Sequence, residues 1–466
     1  MGLTPRLLAH APALAALAAR GSSGPLGGVV PAVTLTAQAT ALTGLAPDRH
    51  GVVGNGWYRR ETGEVRFWVQ AQAQVEGETV EQAARAAAHA RGVPFTAARV
   101  FGWFAQGAPV EWMVTPKPWY GSDGSKVFGV HGRPDALAGA LERTLGPFPF
   151  ASFWGPRAGL PSTQWIARAA ATVLREHRPD FTFVYLPHLD YDLQRLGPVG
   201  AHVAPRVREL DAAAADVLDA ARAVGAEVTV FSEYGLVPVA RVVEPNRALR
   251  RAGLLAVRDG PFGEALEPFE SAAFAVCDHQ VAHVVAPDAA ARARGKDLLA
   301  ALPGVARVLE GAARGEVGLD HPRAGDLVLL AERDAWFAYP WWLDDARAPD
   351  YARTVDIHRK PGYDPCELFV DPALRAPGLR VARRLLAKKL GFRYRMDVVP
   401  LDASLVRGSH GVTLLFLLQF INLPHIYTSG SKSTHHFLLN SSQRLCGVSV
   451  PAFPLHPAHS LPTTDH

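Results

Sequence analysis

Pro31-Ala-Val-Thr34-Leu-Thr-Ala-Gln-Ala-Thr40-Ala-Leu-Thr43-Gly44-Leu-Ala-Pro47-Asp-Arg-His50-Gly51-Val-Val-Gly-Asn55 is the stretch on which the fold turns. Small apolar residues lead up to Thr34. Thr34 to Leu45 then reads as a helix that Gly44 and Pro47 help to close. The pattern places Thr34 as the N-cap, where free N–H groups and the helix dipole favour an anion. A hydroxyl at that position can attack phosphorus once a metal or a base removes its proton.

Outward from this stretch, the chain alternates strands and helices. Asp180-Phe-Thr-Phe-Val-Tyr-Leu-Pro reads as a buried strand, Pro205 to Val224 as a helix, and Glu227-Val-Thr-Val-Phe-Ser as the next strand. That order predicts a parallel-dominated sheet flanked by helices, with functional groups at the carboxyl ends of its strands. Asp190 and Glu233 stand just past two such ends. Gly56 to Val69 reads as an aromatic hairpin, Val80 to Arg91 and Leu160 to His177 as helices, and Val381 to Leu390 as a basic helix. Segments of about 67–157 and 265–345 are expected to form a smaller inserted cap.

At 466 residues the chain can bury one large α/β domain with insertions. Its 48% hydrophobic and 20% charged residues describe an ordinary globular chain, and a net charge of +4 is too small to argue for nucleic acid. Three scattered cysteines suggest neither a disulfide framework nor a cysteine zinc site and point to a reducing, cytoplasmic setting. No run is apolar and long enough to span a bilayer. From 412 to 466 the composition changes: six of the 18 histidines fall here with only two alanines, so a poorly ordered tail is expected after a domain of residues 1–411.

Thr34, followed by Thr43-Gly44-Leu45, Pro47, His50-Gly51 and Asn55, resembles the nucleophile segment of the nucleotide pyrophosphatase/phosphodiesterase branch of the alkaline phosphatase superfamily. Thr36 is the competing hydroxyl, at a position that family usually fills with proline. The resemblance implies the family's α/β fold and a hydrolase of phosphodiesters, pyrophosphates or related small phosphorylated compounds, with Thr34 as nucleophile. It makes Gly2 to Pro5 the turn after a first strand that would precede Met1. It also implies two metal ions about 4 Å apart. Asp190 matches the first residue of the family's Asp-x-x-x-His run, with Gln194 at the His position. Ser232-Glu233-Tyr234-Gly235 matches a Ser-Asp-His-Gly turn, and His410 matches a late His-Gly.

Thr34, Asp190, Glu233 and His410 are therefore the expected metal-facing residues, with His188, His358 and Asp364 as replacements. His358, Lys360 and Asn55 are the expected substrate contacts. Gln and Tyr in place of His shift the donor set toward oxygen, so one or two ions of Mn, Mg or Zn are expected. Two other functions remain open: a phosphatase-like protein that binds a phosphorylated ligand without turnover, and isomerase or mutase chemistry on a sugar phosphate.

Overall fold

Val33 is extended, with φ −130° and ψ 160°, and the helix begins at the next residue and runs Thr34–Thr43. Thr34 is thus the first helical residue and not the cap, and the helix start has no side-chain cap hydrogen bond. Gly44 ends the helix two residues earlier than the sequence suggests. It sits at φ 68°, a left-handed conformation that glycine adopts at no steric cost, and its N–H donates to the Thr40 carbonyl at 2.7 Å.

This computed structural model describes residues 1–122, 126–392, 395–412 and 417–421. All of them lie in one unit, Met1–Ile426, and the second unit, Tyr427–His466, falls outside the described residues. So does most of the expected tail. Leu417–Ile421 is described as a strand, antiparallel to both Ser22–Leu26 and Thr229–Val230.

The predicted α/β class holds. Ala97–Val100 is flanked in parallel by Trp112–Pro116 and Phe181–Val184, with Val130–Arg133 antiparallel at the edge. Thr229–Val230, expected beside Phe181–Val184, belongs instead to the ladder with Leu417–Ile421. A second four-stranded sheet is antiparallel, in the order Phe274–Asp278, Val281–Val285, Leu327–Ala331, Val305–Glu310. Its first three strands are buried throughout, Asp278 and His283 included among mostly apolar residues.

Helices Leu160–His177 and Val203–Val224 pack together; Ala171 and Leu174 of the first meet Ala220 of the second in one buried cluster. Arg99, on the central parallel strand, is wholly buried, and its guanidinium pairs with the equally buried Glu81 and donates to Gln72 and to the Phe104 carbonyl. In the aromatic hairpin Gly56–Arg59/Glu64–Phe67, Trp57 and Phe67 are buried while Glu64 and Arg66 are exposed. Among the described residues, no helix is long and apolar enough to cross a membrane.

Candidate active site

The Thr34 helix is fixed at its start by a partner 20 residues further on. Asn55 Oδ1 accepts from the Leu35 N–H at 3.1 Å, while the Asn55 N–H and its Nδ2 donate to Asp278 at 2.7 and 3.1 Å. Burial pushes the Asp278 carboxyl up to about 7. His50 closes the same segment. Its Nδ1 accepts from the Val52 N–H at 3.1 Å, which leaves Nε2 as the donor to Thr40 Oγ1 at 2.9 Å. Gly51 follows at φ 72°, and a Cβ there would lie 2.5 Å from an Arg323 nitrogen. The run that follows Thr34 in the sequence is therefore a scaffold that aims it.

Asp190 enters the site from the first turn of helix His188–Leu196, just after strand Phe181–Val184. Glu233 follows Thr229–Val230, and His410 follows Gly408–Ser409, which pairs with Val237–Pro238. Four residues expected from the sequence, Thr34, Asp190, Glu233 and His410, are thus brought together and all are buried. The Tyr234 hydroxyl stands between them, 3.2 Å from Thr34 Oγ1, 3.2 Å from Asp190 Oδ1 and 2.6 Å from Met1 Sδ. Thr34 Oγ1 also donates to Met1 Sδ at 3.3 Å.

The His410 ring is flat against Tyr234, with centroids 3.6 Å apart and planes at 10°. His279 covers its other face at 3.6 Å, and Tyr363 stacks on His279 at 3.8 Å. His279 is held at φ 59° in the tight turn between Asp278 and Val281, a strained conformation for a residue other than glycine. His410 Nδ1 lies 2.7 Å from the Ala32 carbonyl, which can only accept, so the proton is on Nδ1 and Nε2 presents a lone pair. Burial holds the ring neutral, its pKa down to about 3. That lone pair faces Asp190 Oδ1 at 3.7 Å. Asp190 Oδ2 accepts from Gln194 Nε2 at 2.6 Å, and Gln194 Oε1 accepts from Tyr363 at 2.8 Å.

Glu233 Oε1 accepts from Gln38 Nε2 at 2.6 Å, and Gln38 Oε1 takes the Trp103 N–H at 2.8 Å. Among the described residues, His410 Nε2 and Glu233 Oε2 are buried without a hydrogen-bond partner. Burial raises Asp190 to about 6 and Glu233 to about 7.

The other expected residues lie elsewhere or are otherwise engaged. Lys360 is buried, with its ammonium 2.7 Å from both Asp364 and Glu367. His358 is exposed, two residues beyond Asp356. His188 Nε2 meets Glu209 at 2.9 Å. Asn55 reaches the site through the Leu35 N–H. Sequence reasoning missed Gln38, although it stands four residues after Thr34 on the same helical face. It missed Tyr363 as well and read Asp278-His279 as structural, since these come from distant segments with no spacing to announce them.

The pattern that defines the type I phosphodiesterase / nucleotide pyrophosphatase family matches residues 2–364. The chain belongs to that family. Its fold is similar to phosphonoacetate hydrolase from Sinorhizobium meliloti in complex with phosphonoformate, at 17% identity and a TM-score of 0.53, covering 92% of this chain and 90% of that one. It is also similar to murine ectonucleotide pyrophosphatase / phosphodiesterase 5, at 12% identity and a TM-score of 0.52, covering 90% and 85%. No curated protein matches the sequence. His410 lies beyond the family's matched range yet meets Asp190 inside it.

The described residues do not assemble donors for two metal ions. Among the described residues, no three His, Cys, Asp or Glu side chains converge as a metal site. Gln194 gives its amide nitrogen to Asp190, and the Tyr234 hydroxyl stands 3.2 Å from both Thr34 Oγ1 and Asp190 Oδ1. His410 Nε2, buried without a hydrogen-bond partner among the described residues, stands 3.7 Å from Asp190 Oδ1.

Proposed function

We propose that this chain hydrolyses phosphodiester or pyrophosphate bonds in small phosphorylated compounds, with Thr34 as nucleophile. The observation that carries the reading is the Thr34 hydroxyl at a helix N-terminus, linked through the Tyr234 hydroxyl to Asp190, whose Oδ1 stands 3.7 Å from His410 Nε2, a buried nitrogen without a hydrogen-bond partner among the described residues. Asp190 and His410 would hold one divalent ion, Mn, Mg or Zn, which supplies Lewis-acid stabilisation of phosphoryl charge. Thr34 Oγ forms the bond to phosphorus as the bond to the leaving oxygen breaks, and water then hydrolyses the phosphothreonine. Glu233, raised to about 7 and in reach of Thr34, takes the Thr34 proton on Oε2. The Thr34 helix faces its positive end toward the phosphoryl oxygens.

A second reading, a phosphatase-like protein that binds a phosphorylated ligand without turnover, is favoured by Tyr234. Its hydroxyl engages both Thr34 and Asp190, and its ring lies on His410. Elemental analysis of the purified protein, paired with hydrolysis of a chromogenic phosphodiester with and without Mn or Zn, separates the two. The hydrolase reading expects one ion per chain and turnover that falls at least about 10³-fold in Thr34→Ala at unchanged melting temperature. A folded, metal-loaded protein with no turnover, or turnover that survives Thr34→Ala, overturns it.

A further inference from the structure

The basic helix expected near the end of the domain forms as Pro377–Lys389, and none of its residues is buried. Leu379, Ala382, Leu386 and Leu390 recur at spacings of three and four, so they share one stripe along the helix. The stripe points outward: Leu379 is 72% exposed, Leu386 57% and Leu390 65%, and Phe392 beyond the helix end is 67% exposed. Leucines at this density on an open surface are the mark of a face that meets something.

The opposite face is pinned to the body by charge. Arg380 and Arg384 both reach Asp397, at 2.6 and 2.7 Å. Arg383 and Lys389 stay exposed on either side of the leucine stripe. Between Asp371 and Asp397 the sequence carries eight Arg or Lys residues and no acid.

We propose that this helix docks the protein on an anionic phospholipid surface. The leucine stripe enters the boundary between headgroups and acyl chains, and the flanking cations meet lipid phosphates and carboxylates. Charge complementarity selects this occupant, because an acid-free cationic rim needs an anionic partner. Geometry selects a flat one. With Arg380 and Arg384 holding the inner face to Asp397, a protein clamp that wraps a helix on all sides has no access, whereas a membrane needs only the outer stripe.

The test is co-sedimentation of the full-length protein with phosphatidylcholine vesicles, with and without phosphatidylserine, at low and high salt. Binding is expected only with phosphatidylserine and to weaken as salt screens the rim. Leu386→Glu/Leu390→Glu and, separately, Arg383→Glu/Lys389→Glu are expected to weaken partition at least about tenfold at unchanged melting temperature, since all four side chains are exposed. The charge-reversal pair also serves as the second probe should the leucine pair disturb the fold. No sedimentation with phosphatidylserine vesicles overturns the proposal, as does sedimentation that neither variant changes. A lipid-free dimer that Leu386→Glu/Leu390→Glu splits, seen by light scattering, overturns it in favour of a second copy of this chain.

Discussion

The two sides of the candidate site meet across a few ångströms but are held by different kinds of bond. On the side of the Thr34 helix, the fixing contacts engage the backbone: Asn55 takes the Leu35 N–H, Asp278 takes the Asn55 N–H, and His50 takes the Val52 N–H. On the side of Asp190, Tyr234 and His410, the partners are mostly side chains, and two buried atoms, His410 Nε2 and Glu233 Oε2, have none among the described residues. A backbone-anchored wall tolerates few exchanges, because each leaves a buried amide without a partner. A wall of side chains can be rebuilt one residue at a time, and Gln194 and Tyr234 both belong to it through side-chain hydrogen bonds to Asp190. Gln194 donates to the carboxylate beside which the family motif places a histidine, and Tyr234 spans the gap between the nucleophile and that carboxylate.

The sharpest way to break this contrast is through Asp278, the anchor of the helix side. Its carboxyl is raised by burial to about 7, so the folded chain holds a proton there that the unfolded chain releases near pH 4. The folded state then binds more protons across that window. Stability contributed by this group is greatest below about pH 4, falls as pH rises toward about 7, and is flat above. The fall is on the order of 4 kcal/mol. Asp278→Asn should flatten this part of the profile in denaturant titrations from pH 4 to 8, and a variant that keeps the full slope would remove Asp278 as its source.

Gln38 comes next, because it ties the two sides together. Gln38→Leu strips the Glu233 carboxyl of its amide donor and leaves the Trp103 N–H without an acceptor, both in the interior. The expected loss is roughly 3 kcal/mol in urea unfolding. A loss under about 1 kcal/mol would mean that the sides are not mechanically joined through this residue.

How far the sequence could be read follows the same division. Thr34, Asp190, Glu233 and His410 were legible because each sits in a short local run, and local runs survive as strand ends and helix starts. The Thr34 cap was misplaced by one residue because the Leu35 N–H is taken by Asn55, a partner that no local window contains. Lys360 reads as a substrate contact in a polar loop, yet it is buried between Asp364 and Glu367, since the charges that accept it lie four and seven residues on. The stack Tyr234–His410–His279–Tyr363 draws its rings from four segments, and ring contacts leave no periodicity. Fold class needs only the order of elements and was readable throughout. The state of the metal side needs tertiary partners and was not.

The smallest effect is the most discriminating. Tyr234→Phe keeps the ring on His410 and removes only the hydroxyl that touches Thr34, Asp190 and Met1. Asp190 retains its Gln194 donor, so thermal unfolding should register about 1 kcal/mol or less. Tyr234→His restores an imidazole nitrogen donor beside the His410 and Asp190 pair and opens the volume the phenol filled. Zinc retained through dialysis, read by elemental analysis, should rise above that of the parent, because imidazole is a donor zinc favours and phenol is not. If Tyr234→Phe costs as much as Gln38→Leu, the phenol is as deeply built into the fold as the backbone-anchored helix, and the contrast between the two sides fails. If it costs little and the histidine variant gains metal, the carboxylate side is an adjustable surface set against a fixed one, and a single position then governs whether Thr34 faces an ion or a phenol.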